Sequence, residues 1–450
     1  APLETVMQIA HPTPPVVNAR THLSLLLLAL VYVFSFIDRN VIAILIQPIK
    51  AEFGASDTLM GFLSGLAFAL LYAVMGVPLG RLADSGFSRR NLIATCCGLW
   101  SLATMACGMS AQFWQLMLAR MTVAIGEAGG MAPSISMVSD LYPRERRSLA
   151  ISLFMMGPHA GLLIAMALGG WIAQHHGWRM TFIAFGVPGL ILAALLWLLV
   201  GEPRRGAFDP APSPAAGGAP QAPGGLMAQV VDLLRIPAFR HVCLGSAMAG
   251  VAGYGYGIWA PTFLVRAYDM PLAHAGLVFG LASGISAAVG SVFSGWACDR
   301  LTRRDTRWQL RLPLIGVLVS IPLGITFALW PSGSWSVGAL NIPHAMAFAA
   351  AFGFFASWSA PLSYAAVSHM MTTRERAIGA ALLNAFMTVL GAGFGPFLTG
   401  LLSDVLTSRF GAPGLAYALA ITVGTLAVTA VLFRAALDPY RERLLQLRGQ

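Results

Sequence analysis

Gly80-Arg-Leu-Ala-Asp84-Ser-Gly-Phe-Ser-Arg89-Arg90 returns in altered form as Gly295-Trp-Ala-Cys-Asp299-Arg300-Leu-Thr-Arg303-Arg304. Each copy ends one long apolar stretch and leads, through an aspartate and arginines, into the next. A second pair of triplets follows the same plan: Arg144-Glu145-Arg146 in one half and Arg374-Glu375-Arg376 in the other. Matching charge patterns at equivalent loops of two halves are what a parallel duplication predicts.

Outward from these loops the chain is almost all apolar. Of its 450 residues 57% are hydrophobic and 10% charged, and the mean hydropathy is +0.72. A soluble domain carries about 25% charged residues, so there is too little charge to clothe a water-facing surface. A span needs roughly 20 mainly apolar residues. Twelve stretches qualify, near 22–47, 59–82, 91–110, 113–141, 149–173 and 181–200, then 241–268, 273–298, 312–330, 342–371, 378–403 and 412–434. The expected fold is therefore all-α and integral to the membrane, with twelve transmembrane helices in two pseudo-symmetric six-helix halves, 22–200 and 241–434. Residues 201–240 hold Pro203, Pro210, Pro212, Pro214, Pro220 and Pro223 among Gly and Ala, a composition that reads as a flexible linker. Tails of 1–21 and 435–450 complete the chain; the first of these has no apolar core and is not a signal peptide.

Charge placement orients the bundle. Most of the 28 Lys and Arg fall on one face: Arg20, the loops carrying Arg81–Arg90, Arg144–Arg147, Arg300–Arg311 and Arg374–Arg376, the linker and the C-terminal tail. Only Lys50, Arg179, Arg266 and Arg409 lie near the other face. The positive-inside rule then puts both termini in the cytoplasm and the chain in the inner (plasma) membrane as a multi-pass protein. The net charge of +10 is accounted for by topology and contact with anionic lipid, not by nucleic acid. Cys96, Cys97, Cys107, Cys243 and Cys298 show no metal-ligand spacing and read as small packing residues. There is no Walker-type loop, so any energy comes from a gradient; no metal or cofactor is expected, and the chain is taken to act as a monomer.

The Gly80–Arg90 stretch resembles the signature loop between the second and third helices of the major facilitator superfamily. That resemblance implies an alternating-access transporter in which Gly80, Asp84, Arg89 and Arg90, with Gly295, Asp299, Arg300, Arg303 and Arg304, form cytoplasmic gates that close the outward-open state. Ser85 stands where a basic residue is usual, so the first gate is expected to pair differently. Gly157-Pro158-His159-Ala-Gly161 resembles in part the span-5 motif of exporters, which adds Gly157 and Pro158 to the gating set and favours export. Phe36-Ile-Asp38-Arg39-Asn40, Arg120 with Gly126-Glu127-Ala128, and Gly257-Ile-Trp259-Ala-Pro261-Thr-Phe263-Leu resemble the Spinster-like lineage. This second resemblance implies proton-linked movement of an amphipathic lipid, such as a lysophospholipid or sphingosine-type lipid.

Four charges fall deep in spans: Asp38 and Arg39 in span 1, Arg120 and Glu127 in span 4. A charge at bilayer centre costs at least ~2.5–3.5 kcal/mol, so such residues face a cavity or a partner. Asp38 and Arg39 point about 100° apart and cannot pair face to face, while Arg120 and Glu127 share a face about 10.5 Å apart along the axis. Asp38 and Glu127 are the expected proton carriers; Arg120 is the expected anchor for an anionic head group, with Arg39 beside it. A static network that fixes helix register is the alternative. Aromatics concentrate in spans 7 and 10, so Tyr254, Trp259, Phe355 and Trp358, with Asn384, are expected as substrate contacts opposite the charged first half. The competing reading within transport is a proton-coupled carrier of a small organic anion, an aromatic or sugar acid. An intramembrane enzyme lacks a HExxH motif or a plausible nucleophile–base pair, and a receptor would need no symmetric pair of gates.

Overall fold

The structure is a computed structural model that describes residues 17–208, 225–338, 340–372 and 375–448. Residues 1–16 of the N-terminal tail, the linker prolines from Pro210 to Pro223, and Arg374 lie outside the described residues. Span 1 is the helix Ala19–Phe53; a reciprocal cap between Asn18 and Thr21 starts it and Gly54, at φ 61°, ends it. Span 2 is Asp57–Asp84, span 3 Arg89–Gly108, and span 4 two pieces, Phe113–Glu127 and Met131–Leu141. The helix Arg144–Phe154 leads into Gly157–Leu199, which holds spans 5 and 6 folded against each other at Gly177. Gly177 has φ 82° and ψ 162°, a conformation open only to glycine, so one residue does the work of a loop.

The second half comprises Pro237–Tyr268, Leu272–Leu301, Trp308–Leu329, Ala345–Met370, Ile378–Phe410 and Gly414–Leu447, spans 7 to 12. Among the described residues nine helices are long and apolar enough to cross a membrane. One of the nine contains both spans 5 and 6; the broken span 4 and Pro237–Tyr268 bring the bundle to twelve. The duplication is visible in the backbone as well. Spans 2 and 8, equivalent in the two halves, each carry a π-helical turn, at Phe62–Leu66 and Gly280–Ile285.

Three features differ from the sequence-based expectation. The linker contains a helix, Gly225–Arg235, and span 7 begins at Pro237. An antiparallel hairpin, Ser334–Val337 with Leu340–Pro343, joins spans 9 and 10. The last helix does not stop near 434 but runs to Arg448, because Leu437 and Tyr440 are buried against Phe239, Val367 and Met370. All five cysteines are free and buried.

Candidate substrate cavity and gates

Span 4 breaks at Ala128–Gly130, directly after Glu127, so this carboxylate sits at the C-terminal end of a half-helix, where the helix dipole disfavours negative charge. Compensation comes from span 1. Arg39 donates to Glu127 Oε2 from Nη2 (2.8 Å) and Nε (3.2 Å), and Ser35 Oγ donates to the same oxygen at 3.0 Å. The side chain of Glu127 is fully buried, whereas Arg39 is 23% exposed. The Arg39 guanidinium also lies about 5 Å from the ring centroids of Phe36, Phe68 and Tyr72, contacts worth about 0.5–2 kcal/mol each according to desolvation.

Arg120 does something else. It is buried beside span 1 and donates from Nη1 to the main-chain carbonyl of Asp38 at 2.7 Å. Its guanidinium lies 5.6 Å from the Phe68 ring, so Phe68 contacts both Arg39 and Arg120. Four atoms of this cluster are buried without a hydrogen-bond partner: Asp38 Oδ1, Glu127 Oε1, and Nε and Nη2 of Arg120. An unsatisfied buried polar atom costs about 1–3 kcal/mol, more when charged.

A cavity of about 350 Å³ lies between the halves, with Arg39 and Glu127 in its wall. Tyr32, Ser35, Phe36, Tyr72 and Phe154 line it from the first half, Tyr254, Tyr364, Asn384 and Met387 from the second; Pro158 is at its side. Tyr364 donates to Asn384 Oδ1 at 3.0 Å. Four lining residues, Tyr72, Met131, Asn384 and Thr388, also line a side groove of about 380 Å³ between spans 2, 4 and 11, walled by Ala73, Gly76, Ala132, Ile135, Ala381 and Ala385.

Of the expected substrate contacts the structure brings Arg39, Tyr254 and Asn384 to this cavity. Four others lie elsewhere. Arg120 faces the backbone of span 1. Trp259 is wholly buried and donates to the Pro396 carbonyl at 2.9 Å, holding span 7 to span 11. Phe355 and Trp358 pack with their rings tilted, centroids 5.0 Å apart, and with Phe293 and Phe354 form a cluster away from the cavity. The aromatic wall is also not confined to the second half, since Tyr32, Phe36, Tyr72 and Phe154 belong to the first. Gly157 packs against Tyr32, fixing span 5 on span 1.

Above the cavity, at the arginine-poor end, the halves are joined. Asp57 receives Lys50 (2.5 Å), Ser403 Oγ (2.6 Å) and both terminal nitrogens of Arg266 (2.7 and 2.8 Å). Arg266 Nε reaches Gln47 at 2.7 Å. Asp404 accepts the main-chain N–H groups of Asp57 and Thr58, at 3.0 and 2.8 Å, and so caps the start of span 2. Spans 1, 2, 7 and 11 are tied by this one knot. Beneath it Gly65 meets Gly393 and Gly400 meets Asp57 so closely that a Cβ on either would strike a carbonyl oxygen. None of these residues was picked out from the sequence, although Lys50 and Arg266 stood out as basic residues on the arginine-poor face.

At the arginine-rich end the halves part. Nothing lies within 4 Å of where a Cβ would stand on Gly80 or Gly295. Asp84, Asp299, Arg300, Arg303 and Arg304 are exposed and make no ion pair among the described residues. Arg89 is the exception. It is buried between Asp140 (2.6 Å) and Glu202 (2.9 Å), with Ser136 Oγ and the Pro203 carbonyl as further acceptors. Arg90 gives its main-chain N–H to Glu202. Burial works against ionisation of Glu202, but the Arg90 N–H, Arg89 and Ser88 outweigh it and hold the carboxyl below its ordinary value. In the second half Asp305 and Asp438 pair with Arg307, and Asp305 with Arg311, instead of with the repeated loop.

A family model described as the Major Facilitator Superfamily matches residues 28–343. An "MFS-type efflux pump" of Mycolicibacterium smegmatis is 33% identical over 93% of both chains. A D-galactonate transporter of Escherichia coli is 25% identical over 90% of this chain and 93% of its own. The crystal structure of a bacterial homologue of the human lysosomal transporter Spinster, inward-facing and unoccupied, superposes with a TM-score of 0.83 at 29% identity, covering 95% of this chain and 98% of that one. With its duplicated loops, twelve spans and central cavity, the chain belongs to the Major Facilitator Superfamily, as a transporter of the Spinster-like lineage.

Proposed function

We propose that this transporter moves an amphipathic lipid, such as a lysophospholipid or sphingosine-type lipid, coupled to protons. The observation that carries the lipid reading is the continuity of cavity and side groove. Arg39 supplies the cation for a head group in the central cavity, and the groove shared through Tyr72, Met131, Asn384 and Thr388 offers an apolar path, walled by small residues, for a tail. Arg39 replaces Arg120 as the head-group contact, because only Arg39 reaches the cavity. Asp38 and Glu127 carry the proton: each has a buried carboxyl oxygen with no partner, an arrangement suited to a proton or to a partner gained in another state. The positive-inside rule makes the arginine-rich face cytoplasmic, so both termini are cytoplasmic, the membrane is the bacterial inner membrane and this state is inward-facing. Alternating access then means untying the Asp57 knot while Gly80 and Gly295 approach the opposite half.

The second reading, a small organic anion, is favoured by the resemblance to the D-galactonate transporter and by the hydroxyl groups around Arg39. Uptake into proteoliposomes with and without an imposed pH gradient separates the two, with a fluorescent lysolipid and D-galactonate as probes. Lysolipid flux that follows the gradient and is lost in Glu127→Gln supports the lipid and proton roles together. Galactonate flux alone removes the lipid assignment; full gradient-driven flux in both Asp38→Asn and Glu127→Gln removes the proton role.

A further inference from the structure

A second hollow exceeds the central cavity in volume. A hollow of about 790 Å³ opens at the arginine-rich end of the first half, bounded by the start of spans 1 and 3, the ends of spans 4 and 6, and the first residues of the linker. Three arginines line it: Arg20, Arg90 and Arg204. Two acids line it as well, but both are already engaged. Asp140 is paired with Arg89 and accepts the Gly206 N–H, and Glu202 is paired with Arg89 and accepts from Ser88 and the Arg90 N–H. Arg90 directs its guanidinium only at neutral acceptors, Asn91 Oδ1 and the Val200 carbonyl. Arg20 and Arg204 make no ion pair among the described residues. Among the described residues, then, the hollow presents three guanidiniums that no carboxylate pairs with.

Its rim is apolar on one side. Leu198 and Leu199, the last turn of span 6, are 66% and 51% exposed and also line the hollow. Cations at the end of a span, directly beside leucines that face hydrocarbon, complement a molecule with a phosphate at one end and acyl chains at the other. We propose that this hollow binds the head group of an anionic bilayer phospholipid, with its phosphate among Arg20, Arg90 and Arg204 and its chains along Leu198 and Leu199. Such a lipid bridges the linker to span 1 beside the first gate loop, because Arg204 belongs to the linker and Arg90 follows Arg89. The site is separate from the central cavity and does not depend on which substrate is carried.

The test uses the full chain in nanodiscs, with spin-labelled phosphatidylglycerol and phosphatidylcholine and the motionally restricted fraction as readout. Wild type is expected to prefer phosphatidylglycerol, and Arg20→Gln with Arg204→Gln to lower that preference about fivefold per arginine. Adding Arg90→Gln lowers it further, and the triple Lys variant restores part of it. Arg300→Gln with Arg303→Gln and Arg304→Gln removes three exposed charges from the same face of the other half. If that control loses the preference equally, diffuse surface charge is responsible and the site is overturned. Loss of the preference on adding millimolar glycerol phosphate overturns the lipid as the source of the phosphate. Equal binding of both lipids by wild type overturns the proposal outright.

Discussion

The two ends of this molecule carry similar residue types and use them in opposite ways. At the arginine-poor end a single buried carboxylate, Asp57, gathers Lys50, Arg266 and Ser403 from three other spans. At the arginine-rich end there are many more charges, yet Asp84, Asp299 and Arg300 stand exposed. What closes an end is not the number of charges but whether a desolvated acid gathers partners from both halves; Asp140, buried with Arg89, joins only elements of the first half. A buried pair loses 3–5 kcal/mol when one partner is removed, an exposed pair about 0–1.

Removing the knot should have the largest effect. Asp57→Ala leaves Lys50 and Arg266 without their anion and is expected to cost the sealed state about 3–5 kcal/mol, a shift of hundreds- to thousands-fold toward the opposite state. Electron–electron resonance distances across the two ends would lengthen at the knot and shorten at Gly80 and Gly295. Unchanged distances would mean that packing alone seals this end.

Packing can be probed separately. Gly65→Val places a side chain against the Gly393 carbonyl, and overpacking of this kind costs about 1–3 kcal/mol. It should move the same distances in the same direction by less. If instead the variant loses its fold, Gly393→Ala, on the facing helix against Ala69, tests the contact more gently.

At the other end, Asp84→Asn should leave the population of the present state within about 0.5 kcal/mol, because Asp84 is exposed and makes no ion pair among the described residues. Its effect should appear only in transport turnover, where the opposite state must close. A distance shift in the resting protein would show that Asp84 already holds a partner.

The smallest expected effect concerns Glu202 and pH. Its folded carboxyl lies below the ordinary value of 4.5, so the stabilisation it gives to linker docking is complete above that value and fades as pH falls through the depressed one. The protection factor of the amides at residues 201–208, exchange corrected for its intrinsic pH dependence, should therefore be constant between pH 8 and pH 5 and fall only in stronger acid. Glu202→Gln should abolish this acid-dependent loss of protection, and a loss near neutrality would assign it to another group.

Hydropathy made the twelve spans legible because each must satisfy its backbone within about 20 apolar residues. It also exposed Asp38, Arg39, Arg120 and Glu127, since charge in hydrocarbon is costly wherever it points. Direction was harder. Arg120 and Arg39 looked equivalent by depth, and only the packing of span 4 on span 1 turns one to a carbonyl and the other to the cavity. Trp259, Phe355 and Trp358 were drawn in by composition alone, whereas Tyr32 and Tyr72 sit in apolar runs that say nothing of which face meets the cavity. The knot was least legible: Asp57 and Ser403 are 346 residues apart, and their meeting depends on how two halves dock.

Gly177 has a practical consequence. With a single residue between spans 5 and 6 there is no slack for an inserted tag or an epitope on that side. A reporter placed there would follow both helices as one lever. The hairpin between spans 9 and 10, turning at Gly338 (φ 60°), is the better place to mount a fiducial for imaging, because it separates the two spans by a loop of several residues.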